Sequence, residues 1–474
     1  MAEDPFLRPS IESEIDPAGL AWPEAEEKIL CHSACPEAEE KILCHSACPE
    51  AEEKILCHTR SGTTGYHLSF MADERDPRRW SILIRVSIAE LLCMALWFGV
   101  SSVTPALRTE WNLSDAAASW MTIAVQLGFV AGTLISAILN LSDLIPTRRL
   151  FAASALLGAA TNALLAATSE SANSAILLRF LTGMFLAGIY PPGMRILATW
   201  FRRERGLALG VLVGSLTLGK ASPYLVNALG SDSWRVNVGV ASISSLLGGA
   251  IVYFLVSDGP LAPARARFDP AQVMKIFRER GVRLANFGYY GHMWELYAMW
   301  TWLPVMLRAS FAESGQPGWL AETGAFIVIG AGAAGCVAAG LLADRIGRTI
   351  VTSAAMIVSG ACCLIIGLFY GGPPIVLLII AAIWGATVVA DSAQFSACVT
   401  ELGQPEYMGT ALTMQTSVGF LLTTISIAIV PPLVELLGWE WAFVILAPGP
   451  LFGVISMMRL RRLPEAARLA GGAR

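Results

Sequence analysis

The sequence predicts an all-α polytopic membrane protein of twelve transmembrane helices, arranged as two pseudo-symmetric six-helix bundles. Of its 474 residues, 55% are hydrophobic and only 15% are charged, and the mean hydropathy is +0.58. This composition does not suit a water-soluble surface, so lipid must cover much of the chain. Apolar stretches of about 20 residues, the length that crosses a bilayer, follow one another from residue 81 onward.

The segment 1–80 precedes the first apolar stretch and contains a 13-residue tandem repeat at 23–58. Its repeat unit offers cysteine and histidine side chains such as Cys31, His32 and Cys35, which are metal-binding residue types. Their spacing matches no zinc pattern, and a recent duplication that gives a charged, disordered extension is the favoured interpretation. No signal peptide is visible. We expect a cytoplasmic tail with no role in transport and no metal; Met71 is an alternative start.

Apolar runs that end at polar residues, glycine or proline predict the helices in order. In the first bundle, 81–257, they cover 82–104, 116–139, 150–168, 174–199, 205–229 and 235–257. In the second, 284–460, they cover 284–307, 321–341, 350–369, 374–399, 407–434 and 439–458. The basic, proline-containing segment 258–283 is predicted to be a cytoplasmic linker, and 461–474 a cytoplasmic tail.

The positions of the basic residues predict the orientation of the helices. From residue 71 onward, 22 Lys and Arg residues lie at or near the ends assigned to the cytoplasm, whereas the opposite loops hold only Arg108, Arg235 and Arg308. Cytoplasmic loops carry such an excess of positive charge. We therefore expect a multi-pass protein of the cell membrane with both termini in the cytoplasm.

The two halves also resemble each other in sequence. Glu90 and Trp97 in the first helix recur, with the same spacing and matching neighbours, as Glu295 and Trp302 in the seventh. Further pairs follow at nearly the same offset: Asp143 with Asp344, Arg148 with Arg348, Gly206 with Gly409, and Trp234 with Trp439. Matches in order at a nearly constant offset indicate a parallel duplication, which is a transporter architecture.

One loop carries the most specific family resemblance. The sequence Gly340-Leu-Leu-Ala-Asp344-Arg345-Ile-Gly347-Arg348 resembles the G-x-x-x-D-R-x-G-R loop of the major facilitator superfamily, and its copy around Asp143 and Arg148 is degenerate. Residues 179–191 are similar to the fourth-helix motif of that family, and residues 200–206 resemble the following loop of its anion:cation symporters. Over residues 80–460 the chain thus looks closest to the anion:cation symporter or organic anion branch. The resemblance implies two six-helix bundles that transport by alternating access.

Ionisable side chains inside a span cost about 2.5–3.5 kcal/mol at the membrane centre, so those present usually face a cavity or each other. We expect a cation to attract an anionic group of the solute. Aromatic and amide side chains in the helices that line the family's cavity add stacking and hydrogen bonds. The candidate substrate-binding residues are Arg179, Arg195, Lys220, Trp97, Gln126, Trp302 and Gln394.

The candidate proton-coupling residues are the buried acids and a histidine. Glu90 or Glu295 could carry the proton, and His292 could share it with Glu295 across one helical turn. Asp391 is the remaining intramembrane acid. The alternative is that these residues form structural ion pairs, for instance Glu90 with Lys220.

The two copies of the family loop supply candidate gating residues. Asp143, Arg148, Asp344, Gly347 and Arg348 are expected at the cytoplasmic ends, where charge pairs can latch one state of the transporter. They could alternatively act only as topology signals.

From these observations we expect a secondary transporter of a small organic anion or polar metabolite, driven by symport with a proton or another ion. The partners are then a small solute, the coupling ion and the bilayer, with no cofactor and no nucleic acid, in a monomer. The sequence shows no nucleophile and base arrangement in the membrane part, which argues against an enzyme. Two alternatives are an exporter of amphipathic compounds and a non-transporting solute sensor.

Overall fold

The structure is a computed structural model that describes residues 76–201, 204–229, 233–260, 277–404 and 408–473. The predicted tail with its repeats, and most of the predicted linker, lie outside these residues. The described chain is helical throughout and forms one compact unit. Nothing in it tests the predicted domain boundaries, which stay predictions.

Among the described residues, twelve long helices follow in the order that the hydropathy pattern predicts. The first six are α1 (Arg78–Phe98), α2 (Asp115–Ile138), α3 (Thr147–Thr168), α4 (Ala172–Ala198), α5 (Arg205–Ala228) and α6 (Trp234–Leu255). The next six are α7 (Arg280–Glu313), α8 (Gly318–Ile346), α9 (Arg348–Phe369), α10 (Pro374–Leu402), α11 (Met408–Leu437) and α12 (Trp439–Arg461). Two short helices, Ser101–Val103 and Thr104–Trp111, join α1 to α2, and Leu141–Leu144 precedes α3.

Eleven of these helices are long and apolar enough to cross a membrane, among the residues that the structure describes. The other is α7, whose 34 residues would extend about 51 Å at 1.5 Å per residue. Polar residues such as Asn286, His292 and Glu295 interrupt its apolar sequence. The chain is therefore a polytopic helical membrane protein, while a span by α7 remains a prediction.

Local sequence explains where several helices begin and end. Ser114 caps α2 by accepting a hydrogen bond from the backbone N–H of Ala117 at 3.2 Å. Gly347, at φ 101°, separates α8 from α9, and Gly438, at φ 74°, separates α11 from α12, because a residue without Cβ adopts these angles readily. Pro373 and Pro374 start α10, where a missing N–H costs nothing.

Two helices are interrupted at comparable places. A turn at residues 187–189 breaks α4 into Ala172–Leu186 and Tyr190–Ala198. A turn at residues 388–391 breaks α10 into Pro374–Thr387 and Ser392–Leu402. The sequence did not predict either break, because the apolar pattern continues across both.

Helices from the two predicted halves pack directly against each other. The neighbours include α5 with α8 and α2 with α11, and α5 also packs on α1. The α5 and α8 backbones come very close: a Cβ atom on Gly210 would lie 2.7 Å from the carbonyl oxygen of Cys336, and one on Gly340 would lie 2.7 Å from that of Gly206. Small residues at such a contact let helices approach closely.

The outward faces carry long apolar side chains. Isoleucine and leucine side chains are exposed on most helices, among them Ile84, Ile88, Leu156, Leu164, Leu247, Ile357, Leu364 and Ile379. Polar side chains such as Glu90, Lys220 and Glu295 are buried instead. The interior between the helices is thus the place to search for a polar site.

Candidate functional site

The centre of the molecule holds a lysine surrounded by aromatic rings. The Nζ atom of Lys220 on α5 lies 4.0 Å from the ring centroid of Trp97, 4.5 Å from that of Tyr297 and 5.0 Å from that of Trp300. It also donates a hydrogen bond to the hydroxyl of Tyr297. Ammonium groups over aromatic faces are attracted by about 0.5–2 kcal/mol each, more when desolvated. We call Lys220, Trp97, Tyr297 and Trp300 the lysine cage.

The cage continues into a larger cluster of rings. Phe129 on α2 and Phe420 on α11 lie 4.6 Å apart between ring centroids, and each is near Trp97, at 5.0 and 5.5 Å. Tyr297 lies 5.1 Å from Phe420. The rings come from α1, α2, α7 and α11, so this cluster joins helices of both predicted halves.

Glu90 lies on α1 and is fully buried. Neither of its carboxylate oxygens accepts a hydrogen bond from any residue that the structure describes. The Oε2 atom faces Gly193, where an added Cβ would lie 3.2 Å away, and Lys220 is the cation that interacts with Glu90 electrostatically. No ion pair within 4.0 Å forms between the two described side chains, so the alternative of a direct structural Glu90–Lys220 pair is not realised in this conformation.

Arg179 is buried on α4 and is held by backbone carbonyls. Its Nε donates to Met121 at 3.0 Å, one Nη donates to Leu96 at 2.8 Å, and the other donates to Trp97. These bonds tie α4 to α1 and α2 and fix the backbone under Trp97. Substrate binding by Arg179 therefore stays a prediction, and the observed contacts are those of a residue that positions Trp97.

The other predicted substrate-binding residues are distributed over several helices. Gln126 on α2 is fully buried, and neither polar atom of its amide has a hydrogen-bond partner among the described residues. The indole N–H of Trp302 donates to the carbonyl of Ile427 at 2.8 Å and so joins α7 to α11. Gln394 accepts a hydrogen bond from Arg348, whereas Arg195 is half-buried on the second part of α4.

Glu295, the repeat equivalent of Glu90, has a different environment. Its Oε2 accepts a hydrogen bond from Ser359 at 2.9 Å, and its Oε1 accepts one from Trp384 at 2.5 Å and one from Cys363 at 3.1 Å. These donors lie on α9 and α10. The carboxylate thus connects three helices of the second predicted half.

His292 pairs with a different acid from the one that the sequence suggested, and a proton shared between His292 and Glu295 stays a prediction. Its Nδ1 lies 2.9 Å from Oδ1 of Asp391, and both side chains are only 1% exposed. Asp391 lies in the turn that interrupts α10, and the break directs it toward α7. Tertiary structure therefore gives His292 a partner that is 99 residues away rather than one helical turn away.

The predicted gating residues of the second half are assembled at one end of the helices. Arg348, only 5% exposed, donates from Nε and one Nη to the two oxygens of Glu401 at 2.8 and 2.5 Å. Its other Nη donates to Gln394 at 2.6 Å, and the same guanidinium lies 3.5 Å from Asp344. Bidentate pairs of this kind are strong and fix geometry.

Asp344 also contacts the first half. A Cβ atom on Gly206, in the first turn of α5, would lie 2.6 Å from both carboxylate oxygens of Asp344. An anion at the N-terminus of a helix is stabilised by the helix dipole, by about 0.3–1 kcal/mol. Arg148 is exposed, and the side chain of Asp143 lies outside what the structure describes.

Two important partners were not among the sequence candidates. Tyr297 completes the lysine cage, and Glu401 binds Arg348. The lone lysine of α5 was itself a signal, because a buried ammonium needs acidic or aromatic neighbours. For Glu401, the signal was an acid just after the tenth predicted span, at the end of the helices where Arg348 was also expected.

Comparison with known proteins gives one family and several relatives. A model of the Major Facilitator Superfamily matches residues 86–426. A puromycin resistance protein of Streptomyces alboniger is 30% identical over 179 residues, 36% of this chain and 35% of that protein. The putative uncharacterized transporter YgaY of Escherichia coli is 31% identical over 167 residues, 34% of this chain and 41% of that protein. The chain therefore spans less than half the length of these relatives in the matched regions.

Proposed function

The chain belongs to the Major Facilitator Superfamily, a family of transporters, and from this premise we propose that it moves a small organic anion or polar metabolite by alternating access. The proposal includes twelve spans in two six-helix halves, in the cell membrane, with both termini in the cytoplasm. The family implies a non-enzymatic function. The lysine cage is the observation that carries the choice of solute.

Lys220 would bind the anionic group of the solute. It is buried, its hydrogen-bond acceptor is the neutral hydroxyl of Tyr297, and no carboxylate among the described residues lies within 4.0 Å of it. An uncompensated buried charge is costly, so an incoming carboxylate would relieve that cost. The rings of Trp97 and Trp300 would then pack against the apolar or planar part of the solute.

Glu90 would carry the proton. Its oxygens accept no hydrogen bond from the described residues, whereas both oxygens of Glu295 do. In the ionised form Glu90 attracts Lys220 and competes with the solute. Protonation removes that competition, so that a proton and an anion would bind together and cross together, which is symport.

The end that carries Arg348 would be the cytoplasmic gate. Asp344 contacts the first turn of α5, and Arg348 holds Glu401 on α10. The Asp344 carboxylate therefore lies at a contact between the two predicted halves. Outward rotation of the halves at this end would separate Asp344 from Gly206. We expect the transporter to act as a monomer.

Export of amphipathic compounds is the second candidate. Five rings at and beside Lys220 provide a large apolar surface, and one relative is a puromycin resistance protein; the rings are Trp97, Phe129, Tyr297, Trp300 and Phe420. In that case the solute would carry a positive charge, and Glu90 rather than Lys220 would bind it. The two candidates thus differ in which buried charge contacts the solute.

A thermal-shift experiment separates them. Purified protein is heated with benzoate or succinate as organic acids, and with puromycin or tetraphenylphosphonium as cations. A ligand at 100 times its Kd stabilises the folded state by about 2.7 kcal/mol. Stabilisation by an acid that is lost in Lys220→Gln supports the anion proposal; stabilisation only by cations, lost in Glu90→Gln, supports export instead. If neither class stabilises the protein, the assignment of the central site is wrong.

A further inference from the structure

A second polar contact joins the predicted halves at the end of the helices opposite to Arg348. Arg308, near the end of α7, places its Nε 2.5 Å from Oε1 of Glu322 on α8. One Nη of the same guanidinium donates to the backbone carbonyl of Ser102 at 2.9 Å. Ser102 belongs to the short helix that follows α1, so Arg308 reaches from the second predicted half to the first.

Asn227 of α5 strengthens this contact from the first half. Its Nδ2 donates to the same carbonyl of Ser102 at 2.9 Å and lies 3.4 Å from the second oxygen of Glu322. Asn237 of α6 holds the amide of Asn227 in place, with its Nδ2 2.5 Å from Oδ1 of Asn227. Arg308, Glu322, Ser102 and Asn227 therefore form one network across the two halves, which we call the Arg308 network.

The network lies at a cavity. A pocket of about 540 Å³, large enough for a small solute, is lined by Ser102, Asn227, Arg308 and Glu322. The side chains of Trp234 and Trp319 also line this pocket. Arg308 and Glu322 are only 21% and 14% exposed, so their interaction is less screened by water than that of a surface pair.

A second ion pair at this end of the molecule lies within one half. Arg235 and Glu110 lie 3.3 Å apart, are 45% and 43% exposed, and both belong to the first predicted half. That pair can persist while the halves move relative to each other. The Arg308 network cannot, because a carbonyl of one half is bonded to a side chain of the other.

We infer that Arg308 is a positioning residue that closes this end of the transporter, and that its bond to the Ser102 carbonyl must break before the cavity can open to the lysine cage. The inference rests on the alternating access of the proposed function, but not on the identity of the solute. The two ends of the molecule are then closed by different contacts. At one end the Asp344 carboxylate lies against the N-terminus of α5, and at the other the Arg308 guanidinium binds the backbone carbonyl of Ser102.

The test measures access to the cavity floor in purified protein without any solute. Ala321, which lines the cavity and is 2% exposed, is changed to cysteine, and its reaction with N-ethylmaleimide is followed by mass spectrometry of the peptide that contains position 321. Reading one peptide avoids the ten native cysteines. Arg308→Gln is expected to raise the rate about tenfold, because it removes charge-assisted hydrogen bonds.

Three further variants complete the design. Arg308→Lys keeps the charge and one donor, so it should raise the rate less than Arg308→Gln, while Arg235→Gln, the matched control, should leave it unchanged. Ala228→Cys, on the α5 side of the cavity, repeats the measurement if Ala321→Cys lowers the melting temperature. Equal rates in Arg308→Gln and Arg235→Gln, whether raised or not, would overturn the inference. Because no solute is present, failure of the anion proposal would leave this result unaffected.

Discussion

The indole nitrogen of Trp384 lies 2.5 Å from Oε1 of Glu295, and it is one of three donors that surround this carboxylate. Glu90, at the equivalent position of the first half, receives none from the described residues. The two glutamates of the sequence repeat therefore have different environments. This difference leads to opposite expectations for the same substitution at the two sites.

Glu295→Gln should destabilise the protein. The glutamine amide carries no charge, so its hydrogen bonds with Ser359, Cys363 and Trp384 would contribute about 1 kcal/mol each, against about 1.5–3 kcal/mol for bonds to a charged group. The melting temperature of the purified variant, measured by scanning fluorimetry, should fall clearly below that of the native protein. An unchanged melting temperature would show that the three bonds contribute little.

Glu90→Gln should instead uncouple transport without loss of stability. The variant cannot take up or release a proton at this position, so accumulation of solute driven by an imposed pH gradient in proteoliposomes should be lost. Exchange of solute across the membrane without a gradient should continue, because Lys220 and the rings remain. Proton-driven uptake that survives in both Glu90→Gln and Glu295→Gln would disprove a carboxylate proton carrier at these sites.

Tyr297→Phe should raise the affinity for an anion. The substitution removes the hydroxyl that accepts from Lys220 but keeps the ring, so the ammonium loses a competitor of the solute. A hydrogen bond of a charged group contributes about 1.5–3 kcal/mol, which corresponds to roughly tenfold or more in Kd, measured by calorimetry with the acid that stabilises the protein. A lower affinity would mean that the Tyr297 hydroxyl contacts the solute itself.

Arg179→Lys should act on stability rather than on the choice of solute. A lysine keeps the positive charge but cannot make the three bonds to Leu96, Trp97 and Met121. The melting temperature should fall, while the ratio of the affinities for acids and cations should stay within about twofold of the native ratio. Loss of a direct contact with the anion would change that ratio more, because each 1.4 kcal/mol of binding free energy corresponds to a tenfold change in Kd. A change in that ratio with unchanged stability would restore Arg179 as a residue that binds the anion.

Gly206→Ala should impair the gate at the Arg348 end. The new methyl group would lie 2.6 Å from the oxygens of Asp344, so the carboxylate must move away from α5. Initial uptake rates should fall severalfold, a loss of roughly 1 kcal/mol of interaction. Gly239→Ala is the matched control, because nothing lies within 4 Å of the corresponding Cβ position. Equal rates in the two variants would remove Asp344 from the gate.

Hydropathy predicted the helices well, and their bounds mostly differ by a few residues from the structure. The breaks in α4 and α10 were not predictable in this way, since residues 187–189 and 388–390 carry no charged or polar side chain and continue the apolar runs. Nor did the periodicity reveal that α7 extends from Arg280 to Glu313, beyond the predicted 284–307. Hydropathy shows which segments are surrounded by apolar groups, but it does not show where the helical backbone is interrupted or how far it extends.

The candidate site was predicted in part. Burial of Glu90, Lys220, Glu295, His292 and Asp391 follows from the cost of charge in a membrane. Their partners do not follow, because Ser359, Cys363 and Trp384 come from distant helices whose rotation the sequence does not give. For the same reason Arg179 was expected to face a solute, whereas it contacts backbone carbonyls that leave no trace in side-chain patterns.

The glycines of α5 have a mechanical consequence. Where Gly210 meets Cys336 and Gly340, backbone lies on backbone, and the atoms nearest to an added Cβ at Gly210 are all backbone atoms. Two packed helices that interdigitate can shift only if rotamers change together, whereas smooth surfaces exchange one set of van der Waals contacts for another of similar energy. The α5 and α8 helices can therefore slide past each other while the packing inside each half stays intact.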